Sequence, residues 1–267
     1  MKTYLLKNGP YPVAYRVSGS GAPLLFLHGY LESSAIWTPF ATAFAGKGYK
    51  VICIDLPGHG KSGVPGESAS IDEMANAVIR VLDHLGLKRV FLIGHSMGGY
   101  TALSLLEHHP SRLSGLSLFH SHPLADSEMV VQKRLREIRI VEEGHSNLLV
   151  QQNIPNMFAE DNLPLFSREL RFTQRIARQT PDNGIIAAIR GLMTRPDRSA
   201  VLAASAVPCL QIIGRKDKYI PFEEVSMKIQ LPEGSERLIL DHSGHMGFFE
   251  EKARAFEGLL GFISRIT

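Results

Sequence analysis

The chain predicts an α/β fold: a mainly parallel sheet covered by helices and interrupted once by a helical insertion. Three observations predict it. Short apolar runs alternate with helical patterns up to Phe119. Residues 121–195 then read as helical throughout, with Pro155, Pro164 and Pro181 as punctuation and no convincing strand. The alternation resumes at Pro208. Residues 1–120 and 196–267 are therefore expected to form the core, and residues 121–195 a lid, since insertions at a sheet edge often cover a site.

The elements follow in order. Segments around Thr3–Leu6 and Tyr11–Val17 flank Asn8-Gly9-Pro10, which predicts an N-terminal hairpin. Pro23–His28 is a buried strand ending at Gly29, and a helix over Ser34–Ala45 turns Ile36, Trp37, Phe40 and Phe44 inward. Val51–Ile54 is the next strand, ending at Asp55. In the helix Ser70–Leu85, Ser70 and Glu73 form a capping box that satisfies two orphan amides. Ile71, Met74, Ala75, Val78, Leu82 and Leu85 share one face, and Gly86 ends the helix. Arg89–Gly94 is a strand, Gly98–His109 a helix and Leu113–Phe119 a strand. Beyond the insertion come strands Pro208–Gly214 and Arg237–Leu240 with a helix between them. A final helix carries Phe249, Phe256, Leu260 and Ile263 toward the sheet.

Composition excludes several function classes. The 267 residues are 44% hydrophobic and 21% charged, with a net charge of +3. A chain of this size buries roughly three quarters of its unfolded surface, so its core needs neither disulfide nor metal. No apolar run approaches the roughly 20 residues that span a bilayer. Residues 1–8 hold too short an apolar stretch for a signal peptide. Neither a membrane nor a nucleic-acid partner is expected, because no basic block is present. Cys53 and Cys209 lie in apolar runs and read as small core hydrophobes. These features predict a cytoplasmic protein, a monomer or small homo-oligomer, acting on a small molecule.

The chemistry centres on Gly94-His95-Ser96-Met97-Gly98-Gly99, between a strand and a helix. A G-x-S-x-G there forces a sharp turn that presents the serine hydroxyl above the sheet, with small residues where side chains would collide. A serine needs a base. Among eleven histidines, His245 in Ser243-Gly244-His245-Met246-Gly247 follows the last strand, where a loop reaches back over the sheet edge. His242 is its rival. A carboxylate must hold the imidazole in the right tautomer. Asp217 leads over Asp126 and Asp241, because it lies just past the penultimate strand, at the edge where parallel sheets build their sites. Two backbone amides should bind the oxyanion: Tyr30 N–H, after His28-Gly29, and Met97 N–H.

Other residues are placed with less chemistry. Trp37, His120 and His122 are expected to line the substrate pocket; for Phe158, Phe166 and Phe172 packing in the core or lid is the expectation and an acyl-pocket wall the alternative. The H-x-H of His120 and His122 lacks a third ligand, so no metal is expected. Arg168, Arg171, Arg175 and Arg178 recur at helical spacing; a solvated face is the expectation, attraction of an anionic acyl group the alternative.

Together, His28-Gly29, the Asp55-Leu56-Pro57-Gly58-His59-Gly60-Lys61-Ser62 loop, the serine turn, Asp217 and His245 resemble the α/β-hydrolase superfamily, in its lid-bearing esterase and lactonase-like branch. The resemblance covers nearly the whole chain. It implies a mostly parallel eight-stranded sheet with helices on both faces, no cofactor, and a two-step acyl-enzyme mechanism. Haloalkane dehalogenases and epoxide hydrolases carry a carboxylate at the position of Ser96 and are disfavoured. Proline iminopeptidases usually have tryptophan where this chain has Met97. The expected activity is cleavage of a small or medium carboxylic ester or lactone. C–C bond hydrolysis of a diketone and a ligand receptor with vestigial hydrolysis are the alternatives.

Overall fold

In the computed structural model, which describes residues 1–266, β1 (Lys2–Leu6) and β2 (Val13–Ser18) form the N-terminal hairpin. Six further strands follow: β3 (Pro23–Leu27), β4 (Lys50–Ile54), β5 (Val90–His95), β6 (Leu113–Phe119), β7 (Cys209–Gly214) and β8 (Glu236–Leu240). They join one eight-stranded sheet in the order β1-β2-β4-β3-β5-β6-β7-β8. The β1–β2 and β2–β4 pairings are antiparallel, and every later pairing is parallel.

The unbroken apolar runs arise because both faces of this sheet are covered. Alternate side chains go to opposite cores. Leu25, Leu27, Ile52, Ile54 and Leu92 pack on one side with α2 (Ile71–His84) and α3 (Met97–His108). Leu24, Phe26, Val51, Cys53 and Ile93 pack on the other with α1 (Thr38–Ala45) and the C-terminal helix. The Ser70–Glu73 capping box opens α2, and Gly86 follows it at φ +64°. Both cysteines are free and fully buried; burial pushes the Cys209 thiol up to about 12 and Cys53 higher still.

The structure departs from the predicted elements in two places. The single helix expected over Ser34–Ala45 is a 3₁₀ turn, Ser34–Trp37, followed by α1. Pro39 stands in the first turn of α1; it has no N–H to donate, and its ring would meet the carbonyl one turn back, so a helix cannot run through it. The final helix is also two, α10 (Gly247–Glu250) and α11 (Lys252–Ile266). Glu251 leaves helical backbone between them, and its carboxylate turns back to accept from His242 N–H and Ser243 Oγ.

The 121–195 segment carries four α-helices and, among the described residues, no strand: α4 (Glu128–Glu142), α5 (Ser146–Asn156), α6 (Ser167–Ala177) and α7 (Asp182–Met193). α4 packs on α5 and α7, and α6 on α5. Pro155 lies in the last turn of α5 without breaking it, and Pro181 is the N-cap of α7. The short α8 (Ser199–Ala203) returns the chain to α3; α9 (Phe222–Lys228) links β7 to β8. Among the described residues, no helix is long and apolar enough to cross a membrane.

One feature of the strand order places the site. Chain progression reverses between β3 and β5, which are neighbours in register Leu27↔Gly94. Loops leaving their C-terminal ends diverge and leave a crevice, the position where open α/β sheets bind ligands. The Gly29 loop and Ser96 both arise there.

Candidate active site

Ser96 sits between β5 and α3 at φ +48° and ψ −114°, a region that side chains other than glycine rarely occupy. The neighbours explain how the turn is held. Ser96 N–H donates to Phe119 C=O at 3.0 Å, and Ser96 C=O accepts from Ser121 Oγ at 2.8 Å. A Cβ on Gly94 would run into the Gly98 carbonyl, and one on Gly98 into the Leu27 carbonyl. The two glycines are therefore what lets strand, turn and helix close on each other. Ser96 remains partly exposed, while Met97 opens α3, whose first amides have no acceptor inside the helix.

His245 and Asp217 meet from different loops. His245 Nδ1 lies 2.7 Å from Asp217 Oδ2, with both side chains essentially out of solvent. The other carboxylate oxygen, Oδ1, accepts from Tyr219 N–H at 2.8 Å and Ile220 N–H at 3.0 Å. Burial alone would raise the Asp217 pKa, but the imidazoles of His245 and His120 hold it well below the usual carboxylate range. Asp217 is thus ionised and accepts, so His245 Nδ1 carries hydrogen and Nε2 is the nitrogen left free of the carboxylate. The His245 loop is anchored by its own N–H to Met157 C=O at 2.6 Å. Glu250 anchors it again, accepting from Gly244 and Met246 N–H on one oxygen and from Ala159 N–H and Asn162 Nδ2 on the other.

The loop after β3 is fixed just as firmly. His28 Nε2 accepts from Leu56 N–H at 2.9 Å, so its Nδ1 carries the proton and donates to Gly29 C=O at 2.7 Å. Because the peptide is planar and trans, anchoring the Gly29 carbonyl also fixes the opposite direction of Tyr30 N–H. Leu31 follows at φ +60°, which bends the loop over the strand ends. The Asp55–Ser62 loop is held from within: Asp55 accepts from Ser34 N–H and Lys61 N–H, and Gly60 stands at φ +58° where a Cβ would meet the Asp55 carboxyl.

A cavity of about 770 Å³ lies between the strand ends and the inserted helices. Its walls bring together Tyr30, Ser96, Met97, His122 and His245. That volume falls in the range of small-molecule sites, roughly 300–1,000 Å³. Asp217 stands behind His245, away from the cavity. Of the rivals, His242 is exposed and Asp241 pairs with Arg215 and Arg254, while Asp126 lines the cavity but is bound to Arg134 and Arg195 rather than to His245.

Several expected pocket residues do not reach this cavity. Trp37 is fully buried among Phe26, Phe40, Phe119 and Phe248, because the 3₁₀ turn aims it into the core. His120 is also fully buried: at φ +48° it leaves β6 turned inward, with Gly214 N–H, Gly247 N–H and Asp217 around its ring. His120, Asp217 and His245 could by their spacing hold a metal ion. His122 points the other way, into the cavity, so the H-x-H pair does not converge. Phe158 is core and Phe166 and Phe172 pack against core from the insertion, the packing expected of all three. Arg168, Arg171, Arg175 and Arg178 form an exposed face of α6 and the residue after it, as expected. The sequence reading missed Tyr219, Glu137, Asn153 and Arg195 on the cavity wall, and Glu32 and His95 behind it. Nothing in their local spacing marks them, since they converge through tertiary packing.

The buried histidines set a stability prediction. Burial lowers His59 to about 3 and both His120 and His122 to about 4, below the roughly 6.5 of an unfolded histidine. Between pH 6.5 and 4 the unfolded chain binds protons at these sites and the folded chain does not, so stability falls with pH. His28, also lowered by burial, adds to this, while Glu250, raised by burial, and His95, raised by Glu32, oppose it. Asp217 adds a further loss below the usual carboxylate range. The urea midpoint is expected to be lower at pH 4.5 than at pH 7; an unchanged midpoint would contradict the neutral burial of these rings.

Comparison with known proteins adds the following. A model described as the alpha/beta hydrolase fold matches residues 22–252. The dihydrolipoyllysine-residue acetyltransferase component of the acetoin cleaving system of Pseudomonas putida is 30% identical over 97% of this chain and 70% of its own length. A 2-hydroxy-6-oxononadienedioate/2-hydroxy-6-oxononatrienedioate hydrolase of Paraburkholderia phymatum is 26% identical over 95% of this chain and 91% of its own. The solved structure of a thermophilic esterase from Thermogutta terrifontis, with malate bound, is similar at a TM-score of 0.93 and 25% identity, covering 100% of this chain and 99% of that one.

Proposed function

The chain belongs to the alpha/beta hydrolase fold family, and from that membership we propose that it is a serine hydrolase cleaving a small or medium carboxylic ester or lactone. One observation carries this reading: a partly exposed serine on a strained turn shares a cavity with an imidazole whose far nitrogen is held by a buried carboxylate.

Ser96 Oγ attacks the carbonyl carbon while its proton passes to His245 Nε2. Asp217 stabilises the resulting imidazolium without taking the proton itself. Tyr30 and Met97 N–H groups receive the negative charge on the carbonyl oxygen, each such donor being worth about 10²- to 10³-fold in rate. The C–O bond breaks, His245 returns the proton to the leaving alkoxide, and an acyl-Ser96 ester remains. Water, deprotonated by His245, attacks the acyl carbon; the acyl–Oγ bond breaks, His245 returns the proton to Ser96 Oγ, and the acid leaves. A lactone follows the same course with the alcohol still tethered to the acyl group. The helices of residues 121–195 serve as the lid, excluding bulk water and setting substrate shape.

C–C bond hydrolysis of a diketone is the second reading, favoured by the relative named as a 2-hydroxy-6-oxononadienedioate hydrolase. Stopped-flow mixing with p-nitrophenyl acetate tests the proposal. The expected trace is a p-nitrophenol burst of one equivalent per chain, or steady turnover that Ser96→Ala removes. Faster turnover of a 2-hydroxy-6-oxo-dienoate than of any ester would install the second reading. Tight binding of a small ligand without turnover of any activated ester would point instead to a receptor.

A further inference from the structure

We propose that Glu32 and His95 form a buried positioning pair that locks the Tyr30 amide loop and the His245 loop onto the strand carrying Ser96. The inference rests on the serine hydrolase reading, because it assigns the pair a purpose within that site. Its geometry stands by itself. His95 immediately precedes Ser96 at the end of β5. Its Nδ1 is 3.1 Å from Glu32 Oε2, and its Nε2 is 2.9 Å from the backbone carbonyl of His245. The same Glu32 oxygen accepts from Gly29 N–H at 2.7 Å. One hydrogen-bonded chain therefore runs from the amide loop, through the residue beside the nucleophile, to the backbone of the general base.

Neither a carboxylate nor a backbone carbonyl donates a hydrogen bond. Both ring nitrogens of His95 therefore carry hydrogen, and His95 is an imidazolium neutralised by Glu32. Burial alone would lower the His95 pKa; Glu32 outweighs it and raises it. Burial alone would raise Glu32, and the His95 charge with the Gly29 N–H brings it down instead. The pair is fully out of solvent, with Trp37, Phe119 and Phe248 packed edge-on around the imidazole. In such dry surroundings its hydrogen bonds are stiff and directional.

The fit against the amide loop is close. A Cβ on Gly29 would lie 2.9 Å from His95 Nδ1 and 3.1 Å from Glu32 Oε2, so only glycine lets the loop back onto the pair. On the other side, the His95 and His245 rings lie 4.7 Å apart between centroids. Folding alone does not call for this arrangement. Glu32 Oε1 is buried with no hydrogen-bond partner, and buried ion pairs are often no better for stability than apolar residues of the same volume. What the pair supplies is a common register for groups that touch the reacting atoms.

Two readouts test this, one independent of activity. Nitrogen-15 NMR of the histidine-labelled protein at pH 7, with His95 assigned by its loss in His95→Phe, should show both His95 ring nitrogens protonated. In Glu32→Gln one of them should become bare. For p-nitrophenyl acetate, Glu32→Gln and His95→Phe should each lower kcat about 10²-fold, the scale of losing one oxyanion donor, with KM little changed. The double variant Glu32→Met with His95→Phe separates positioning from folding: its urea midpoint should recover toward wild type while its kcat stays low. Recovery of kcat along with stability would overturn the positioning role. A bare nitrogen on wild-type His95 would overturn the pair itself. If wild type shows no turnover that depends on Ser96, the hydrolase reading fails and the positioning role fails with it, while the NMR result still decides whether the pair exists.

Discussion

Ser96→Ala is expected to lower kcat for p-nitrophenyl acetate by about 10⁶-fold, the scale seen when a serine hydrolase loses its nucleophile. The substitution takes away one oxygen and little else. Ser96 is held by its backbone, through Phe119 C=O and Ser121 Oγ, and alanine keeps both bonds. It occupies φ +48° at a cost similar to that of serine, so the thermal midpoint should move little. Residual catalysis would come from the Tyr30 and Met97 amides and from binding in the cavity. The measurement is initial rate against circular dichroism melting. A variant within tenfold of wild type would remove Ser96 from the chemistry.

Asp217→Asn is expected to be nearly as damaging, about 10⁴-fold in kcat, for a reason the geometry makes specific. Oδ1 accepts from two backbone amides, Tyr219 N–H and Ile220 N–H, while Oδ2 faces His245 Nδ1. An asparagine must keep its oxygen toward the two amides and so presents its NH₂ to His245. That donor requires a bare Nδ1, which moves the imidazole proton to Nε2, where it can no longer accept from Ser96. Shape and volume are unchanged, so folding and KM should be nearly preserved. Nitrogen-15 NMR would show the altered tautomer directly; a variant with the wild-type tautomer and kcat would refute Asp217 as the orienting acid.

The turn at Ser96 and the place of Asp217 beside His245 are legible because both follow from short-range rules. Gly94 and Gly98 announce the turn at Ser96, since a side chain at either would strike backbone. Asp217 and His245 each follow a strand by a few residues, and strands are readable as apolar runs when both faces of the sheet are covered. Tertiary packing decides the directions that local pattern leaves open. Local pattern puts Trp37 on the pocket wall, but Pro39 ends the preceding helical turn early and aims the indole at Phe248. The same pattern puts His120 there, yet its positive φ turns the ring inward against Asp217. Glu32 and His95 are 63 residues apart and meet only because β3 and β5 are neighbours in the sheet. No spacing in either segment encodes that contact.

The most direct measurement is reaction with diethyl p-nitrophenyl phosphate, followed by peptide mapping in a mass spectrometer. An attacked phosphorus leaves a stable diethylphosphoryl ester on whichever oxygen acted as nucleophile. The predicted result is one diethylphosphoryl group per chain, on the peptide containing Ser96, with ester turnover lost in proportion. Modification at another residue, or full inactivation with Ser96 unmodified, would contradict it.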